Sequence, residues 1–347
     1  MQHYFAKALP WTSIPYMSVS AQARTDRTPG PPPLLSVVVP CFNESDVIEI
    51  FYTALTQVLA GMDALDHEIV FVDDGSADDT LDRLNRIMAS DATVRVCSLS
   101  RNFGHQIALA AGMDAAVGDA VVIMDADMQH PPTLITELVR QWRAGYDVVS
   151  AIRQQTDGES WFKGVTSRGF YRLLNSMSGT KVPQGAADFC LLSSRVCKSL
   201  RDMPERHRFL RGLVSWVGYK RVLIPYVAPE RAAGQTKYSL VKMVTLALDA
   251  VFSFSAEPLR LALRAGLIVA VGGFLYLIYT LGYGYLVKGL VPGYASLIGV
   301  VLILGGFQLA FIGLIGQYLA RVFEEVKGRP IYLLKQEPPA PKRAGNG

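Results

Sequence analysis

Three short β-branched runs set the pattern of the chain from residue 34 onward; each breaks into polar or turn residues and then a helix-like stretch. The first, Ser36-Val-Val-Val-Pro40, runs into Cys41, Phe42, Asn43 and Glu44. The second, Glu68-Ile-Val-Phe-Val72, runs into Asp73-Asp74-Gly75-Ser76. The third, Val121-Val-Ile-Met124, runs into Asp125-Ala-Asp127-Met-Gln129. Strand, helix and strand at this spacing predict a mostly parallel α/β sheet with right-handed crossovers. Val148–Arg153 predicts a further strand ending in an arginine, and Asp188 precedes another strand-like run. The polar strand ends then line one edge, where open α/β sheets bind ligands.

Toward the C-terminus the pattern changes. Residues 265–287 carry no charge, and neither do residues 289–320. A helix of about 23 residues spans about 35 Å, enough for a hydrocarbon core of about 30 Å. Neither segment has a polar face, so the spacing predicts two membrane helices, about 265–287 and 296–320, rather than two core helices. Arg260 and Arg264 flank one side and Arg321, Lys327 and Arg329 the other, which puts both termini in the cytoplasm. Residues 239–263 are apolar but broken by Lys242, Asp249, Glu257, Pro258 and Arg260, a pattern for amphipathic helices in the membrane interface. The expected organisation is a disordered tail (1–33), an α/β domain (34–238), interface helices (239–263), a membrane pair (264–321) and a cytoplasmic C-terminal tail (322–347). No signal peptide opens the chain, and Met17 is an alternative start.

Charge adds an asymmetry that the net value of +4 hides. Residues 34–142 hold 5 basic and 17 acidic side chains, whereas residues 143–237 hold 16 basic and 7 acidic. An acidic half suited to a cation adjoins a basic half suited to phosphates. The basic half carries no aromatic-basic nucleic-acid motif and leads into the membrane segments, so an anionic lipid surface or lipid phosphate is the better partner. The four cysteines lack Cys-x-x-Cys spacing and fit packing roles in a reducing cytosol.

Asp125 and Asp127, two hard oxygen donors at a strand end, suit Mg²⁺ or Mn²⁺ sharing its shell with substrate phosphates. An isolated Asp-x-Asp is equally a solvated loop; the neighbouring polar strand ends favour the metal. Asp73 and Asp74 are expected to divide two tasks, one capping the next helix and one facing a ligand. Asp188 either caps a turn or brings a third carboxylate to the same edge. Arg153 ends its strand, Arg168 and Arg172 share a helix face, and Arg231 and Lys237 bracket Gly234 on a loop suited to clamp a phosphate.

The stretches VVVPCFNE, FVDDGS, SRNFGHQ, DADMQHPP, AADFCLLS, RFLRGLVSWVGYKR, ERAAGQTKYSL, SFSAEPLR and GQYLARVFEEVKGRPIY cover about residues 35–333. Together they resemble the family 2 glycosyltransferases that act on polyprenyl phosphates, a group with dolichol-phosphate mannose synthases and bactoprenol glucosyltransferases. One departure is Gln317, where the nearer relatives often carry Glu. The resemblance implies a GT-A type nucleotide-binding domain followed by interface helices and two transmembrane helices. It implies that Pro40, Phe42, Glu44 and one of Asp73 and Asp74 form the nucleotide wall. Asp125, Asp127 and Gln129 match the metal site gripping the donor diphosphate. Arg153, Arg231, Lys237 and, in a looser register, Arg168 match cations around the phosphates, and Asp188 matches an aspartate near the acceptor. The reaction implied is inverting transfer of a sugar, glucose first, from a nucleoside diphosphate sugar to undecaprenyl phosphate at the inner membrane. N-acetylglucosamine, galactose, mannose and amino-arabinose are alternatives. A homo-oligomer and a flippase of the same pathway are the implied protein partners. A processive polysaccharide synthase is disfavoured by the lack of a Gln-x-x-Arg-Trp motif, and an NAD-linked enzyme by the lack of Gly-x-Gly-x-x-Gly after the first strand. A non-catalytic lipid-carrier protein is opposed by the intact Asp125, Asp127 and Asp188.

Overall fold

The computed structural model describes residues 32–154, 183, 186–203, 205–206, 208–227, 257–287, 294–336 and 338. Residues 1–31, most of the predicted interface helices, and Arg168, Arg231 and Lys237 lie outside the described residues. The elements in chain order are β1 (Leu34–Cys41), α1 (Ile48–Ala60), β2 (Asp66–Asp73), α2 (Thr80–Ser90), β3 (Val94–Leu99), α3 (His105–Ala115), β4 (Ala120–Ile123), α4 (Leu134–Arg143) and β5 (Val148–Arg153). There follow β6 (Ala186–Ser193), α5 (Ser194–Arg201), α6 (Leu210–Trp216), β7 (Arg221–Tyr226), α7 (Glu257–Val287), α8 (Tyr294–Val326) and β8 (Leu334–Gln336).

The eight strands form one sheet in the order β7-β5-β6-β4-β1-β2-β3-β8. β1 pairs parallel with β2 and β4, β2 with β3, and β5 with β7. Apolar side chains fill both faces of the strands, as expected where helices cover a sheet on each side. Phe51 and Leu55 of α1, Leu84 of α2 and Leu138 of α4 pack on one face; Leu109 of α3, Val196 of α5 and Leu213 of α6 pack on the other. Helix α3 sits unusually close. A Cβ on Gly112 would stand 2.3 Å from Val38 Cγ1, so only glycine lets this helix lie against β1 and β2.

Strand β6 breaks the parallel pattern by running antiparallel to both β4 and β5. The consequence is functional. The parallel strands β1, β2, β4, β5 and β7 deliver their C-terminal ends to one edge, and β6 delivers its N-terminal end, with Asp188, to the same edge. The β4–β6 ladder ends with Ile123 facing Cys190, two residues before Asp125 on one strand and two residues after Asp188 on the other.

The C-terminal region differs from the expectation in two places. Helix α7 starts at Glu257, eight residues before the predicted span, so residues 257–263 continue it rather than forming a separate interface helix. Pro258 stands in its first turn, where its missing N–H leaves no helical bond unmade. Residues 322–347 are not simply a tail. Helix α8 runs to Val326, and β8 then adds to the edge of β3, which would otherwise present unpaired backbone groups. Arg206 N–H donates to Glu325 Oε1 at 2.9 Å, and Tyr332 Oη to Asp114 at 3.0 Å, tying the end of α8 to the α/β domain. Two stretches, Pro258–Tyr276 and Leu304–Val326, are long and apolar enough to cross a membrane, and neither is buried in the protein. Leu263, Ile268, Leu309 and Val326 are all over 70 % exposed.

Candidate active site

The polar strand ends do converge. Burial and then the charges of Glu44, Asp73 and Asp125 push the Cys41 thiol well up, so three carboxylates act on one point at the end of β1. Phe42, just beyond it, leaves its ring 46 % exposed. Pro40 pairs with Val72 inside the sheet. Glu44 uses its backbone carbonyl to accept from Val47 and Ile48 at the start of α1.

Both residues of the Asp73–Asp74 pair are buried and both hold turns. Asp74 accepts from the backbone N–H groups of Phe103 and Gly104 at 2.7 and 2.9 Å. This clamps the loop that enters α3, with Gly104 at φ +98°, and thereby sets the position of His105. Asp73 accepts longer bonds, 3.2 Å from Ser76 N–H and 3.3 Å from Ser98 Oγ. Gly75 is required beside it: a Cβ there would lie 2.5 Å from the Arg101 carbonyl carbon.

At the end of β4 the chain turns sharply. Met128 adopts φ +62°, and Asp127 Oδ1 accepts from Gln129 N–H at 3.1 Å in an Asx turn. Asp125 Oδ1 is buried yet accepts no hydrogen bond. The backbone N–H of Asp125 donates to His130 Nδ1 at 2.9 Å. That bond requires an unprotonated Nδ1, so the proton of a neutral ring sits on Nε2. Burial lowers the His130 pKa, and Asp125, Asp127 and Asp188 only partly offset it. The ring stacks on Phe189 at 4.9 Å and meets Tyr226 edge-on at 6.3 Å.

Asp188, 6 % exposed, is the most heavily engaged carboxylate. Arg211 of α6 donates to both of its oxygens, at 2.7 and 2.9 Å. Gln106 Nε2 donates to Asp188 Oδ2 at 3.4 Å, and Gln106 Oε1 accepts from Leu210 N–H at 2.8 Å, which braces the amide. His105 Nε2 lies 3.4 Å from Asp188 Oδ2 and 3.7 Å from Asp125 Oδ1, bridging the two strand ends. Burial pushes the Asp188 pKa up, but Arg211 and His105 outweigh it and hold the carboxyl well below the usual range. For His105 burial pulls the other way; the hydrogen bond to Asp188 and the charge of Asp125 prevail and raise its pKa. The His105 side chain is 43 % exposed, so solvent screens part of that charge. Arg153 ends β5 opposite Tyr226, whose phenol burial pushes up to about 12.

Family comparison gives this edge its context. Residues 36–201 match the family model described as glycosyl transferase family 2, and residues 257–322 match the GtrB C-terminal hairpin. An uncharacterized glycosyltransferase of Bacillus subtilis is 42 % identical over 301 residues, covering 87 % of this chain and 93 % of the relative. The chain belongs to glycosyl transferase family 2. A prophage bactoprenol glucosyl transferase homolog of Escherichia coli is 40 % identical over 302 residues, covering 87 % of this chain and 98 % of its own length. The SfII prophage-derived bactoprenol glucosyl transferase of Shigella flexneri is 40 % identical over 306 residues, covering 87 % and 97 %. The glycosyltransferase is thus built on a mixed, mostly parallel GT-A type sheet.

Four residues of this glycosyltransferase's edge escaped the sequence reading as functional positions: His105, Gln106, His130 and Arg211. Each stands inside a stretch that carries the family resemblance, but only the folded chain shows which carboxylate each one meets.

Proposed function

We propose that this glycosyltransferase is anchored in the inner membrane and transfers glucose, with inversion, from UDP-glucose to undecaprenyl phosphate. The observation that carries the reading is the union, in one chain, of a carboxylate-lined sheet edge with two long apolar helices that the protein leaves unburied. The two relatives named as bactoprenol glucosyl transferases, matched along nearly their whole length, support the lipid acceptor and the sugar. Asp125 and Asp127, with Gln129, would hold Mg²⁺ or Mn²⁺. The donor set fits: two hard carboxylates, one with a buried oxygen that accepts no hydrogen bond, leave room for diphosphate oxygens and water. Bound there, such an ion would neutralise charge on the leaving diphosphate.

The chain's own residues do the rest. The exposed Phe42, with Pro40, Glu44 and Asp73, forms the nucleotide wall. The acceptor phosphate has a second pKa of about 6 and is mostly dianionic at neutral pH, so it needs no strong base. Asp188, held ionised with both oxygens engaged by Arg211, orients the acceptor rather than taking its proton. Arg153, with Arg168, Arg231 and Lys237, screens the repulsion between two anions. The basic flanks of α7 and α8 support a topology with both termini in the cytoplasm, and the pairing of β8 with β3 supports a site held close to the membrane surface.

The test is single-step transfer from radiolabelled UDP- and GDP-sugars to undecaprenyl phosphate in detergent, with Mg²⁺ or EDTA. One mild-acid-labile glucolipid, metal-dependent and reduced at least about 100-fold in Asp127→Ala, is expected. No lipid product from any donor with folded protein would leave a carrier-binding role instead.

A further inference from the structure

We infer that His130 is a positioning residue for the metal-binding turn, acting through the backbone of Asp125 rather than on substrate. The inference rests on the reading that Asp125 and Asp127 hold the divalent ion. Three observations support it. First, Asp125 N–H donates to His130 Nδ1 at 2.9 Å, and the two residues are joined by the turn itself. Second, that turn is locally costly: Met128 is a non-glycine residue at φ +62°, and such a conformation persists only where its surroundings enforce it. Third, the imidazole is fixed from its other sides. It is 6 % exposed, stacks nearly parallel on Phe189, and meets the Tyr226 ring edge-on.

The geometry assigns the ring a definite task. Asp125 lies just past the end of β4, where the ladder to β6 no longer supplies a partner for its N–H. Without an acceptor that group would be left unsatisfied beside a turn that must present two carboxylates to one ion. A neutral imidazole supplies the acceptor and adds no charge. It also closes Asp125 to His130 into a loop around the two carboxylates, which fixes their separation before any ion arrives. Outer partners of this kind typically change metal affinity by about 10–100-fold when lost.

The test measures Mn²⁺ binding by the full-length protein in detergent, by electron paramagnetic resonance of the free ion, with and without UDP. His130→Phe keeps the stack on Phe189 and removes the acceptor. It is expected to weaken Mn²⁺ binding by about 10–100-fold, with UDP binding in saturating Mn²⁺ changed by less than about threefold. His130→Asn places an amide oxygen where Nδ1 stood; it is expected to bind Mn²⁺ within about threefold of wild type despite the lost stack. Should His130→Phe fail to fold, His130→Gln takes its place, since its amide reaches past the Nδ1 position and is expected to bind weakly. A role in packing alone predicts the opposite order, with Asn the worse variant. Wild-type affinity in His130→Phe or His130→Gln, or equal losses in Phe and Asn, overturns the inference. Asp125→Asn/Asp127→Asn separates this from failure of the metal site: if that variant binds Mn²⁺ like wild type, the metal reading falls and takes the role of His130 with it.

Discussion

Replacing Arg211 by methionine keeps most of the side-chain length and removes the guanidinium from Asp188. In the native protein that guanidinium donates to both carboxylate oxygens, and Asp188 is 6 % exposed. Removing one partner of a buried pair costs about 3–5 kcal/mol, because a charge is left without compensation. Two features lower that figure here. Arg211 is itself 33 % exposed, so water already screens part of the attraction, and His105 and Gln106 stay beside the carboxylate. The expected loss is about 2–3 kcal/mol. For a catalytic unit of about 200 residues this lowers the thermal midpoint by about 4–12 °C.

The pH dependence has a definite sign. Arg211 and His105 hold the folded Asp188 pKa below the ordinary 3.8, so their contribution is present above that value and is lost as pH falls through the folded pKa. In Arg211→Met the folded pKa rises. The deficit of the variant is then largest at neutral pH and shrinks toward acid as the carboxyl protonates. Thermal unfolding of the full chain in detergent at pH 7.5 and 4.5, for Arg211→Met and for Arg211→Met/Asp188→Asn, measures both effects. The double variant, which buries no charge, is expected to recover half or more of the loss. Equal destabilisation of the single and double variants at pH 7.5, or a deficit that grows toward pH 4.5, would refute the reasoning.

Truncation after Gly328 removes β8 and leaves the β3 edge unpaired. Amide exchange at Ser100, whose N–H donates to Leu333 at 2.8 Å, is expected to speed by about tenfold or more, and unchanged protection would show that β8 does not hold that edge. The cysteines offer a separate check. Burial pushes Cys97 up to about 11 and Cys197 up to about 12, so iodoacetamide at pH 8 should leave both unmodified in the native protein and label them after denaturation. Rapid labelling of the native protein, read by mass spectrometry, would contradict the packing.

Local pattern carried much of the architecture. The β-branched runs before Cys41, Asp73 and Asp125 became buried parallel strands, because a run that is apolar on both faces can satisfy itself only inside a covered sheet. The charge-free stretches became the long helices α7 and α8, whose length and apolar composition are those a membrane-crossing helix needs. Asp125, Asp127 and Asp188 were legible as candidates because carboxylates at strand ends are costly without a task.

Pairing across the chain was decided only by the tertiary structure. Asp188 and Arg211 are 23 residues apart and on different elements; the sequence shows both residues but nothing that joins them. The antiparallel course of β6, which brings Asp188 to the edge where Asp125 stands, follows from how the chain returns to the sheet and leaves no mark in its alternation of residues. His105 reaches both carboxylates because Asp74 holds the loop before it and Gly112 lets α3 lie flat on the strands, contacts spread over about 40 residues. The return of β8 to β3 was equally hidden, since three residues are too few for a strand pattern and the bond that holds them belongs to a distant edge. Sequence by itself determined which segments are strands, which are long apolar helices and which residues carry charge, because those depend on near neighbours. The folded chain alone decided which charges meet, because that depends on closure between segments that no local pattern encodes.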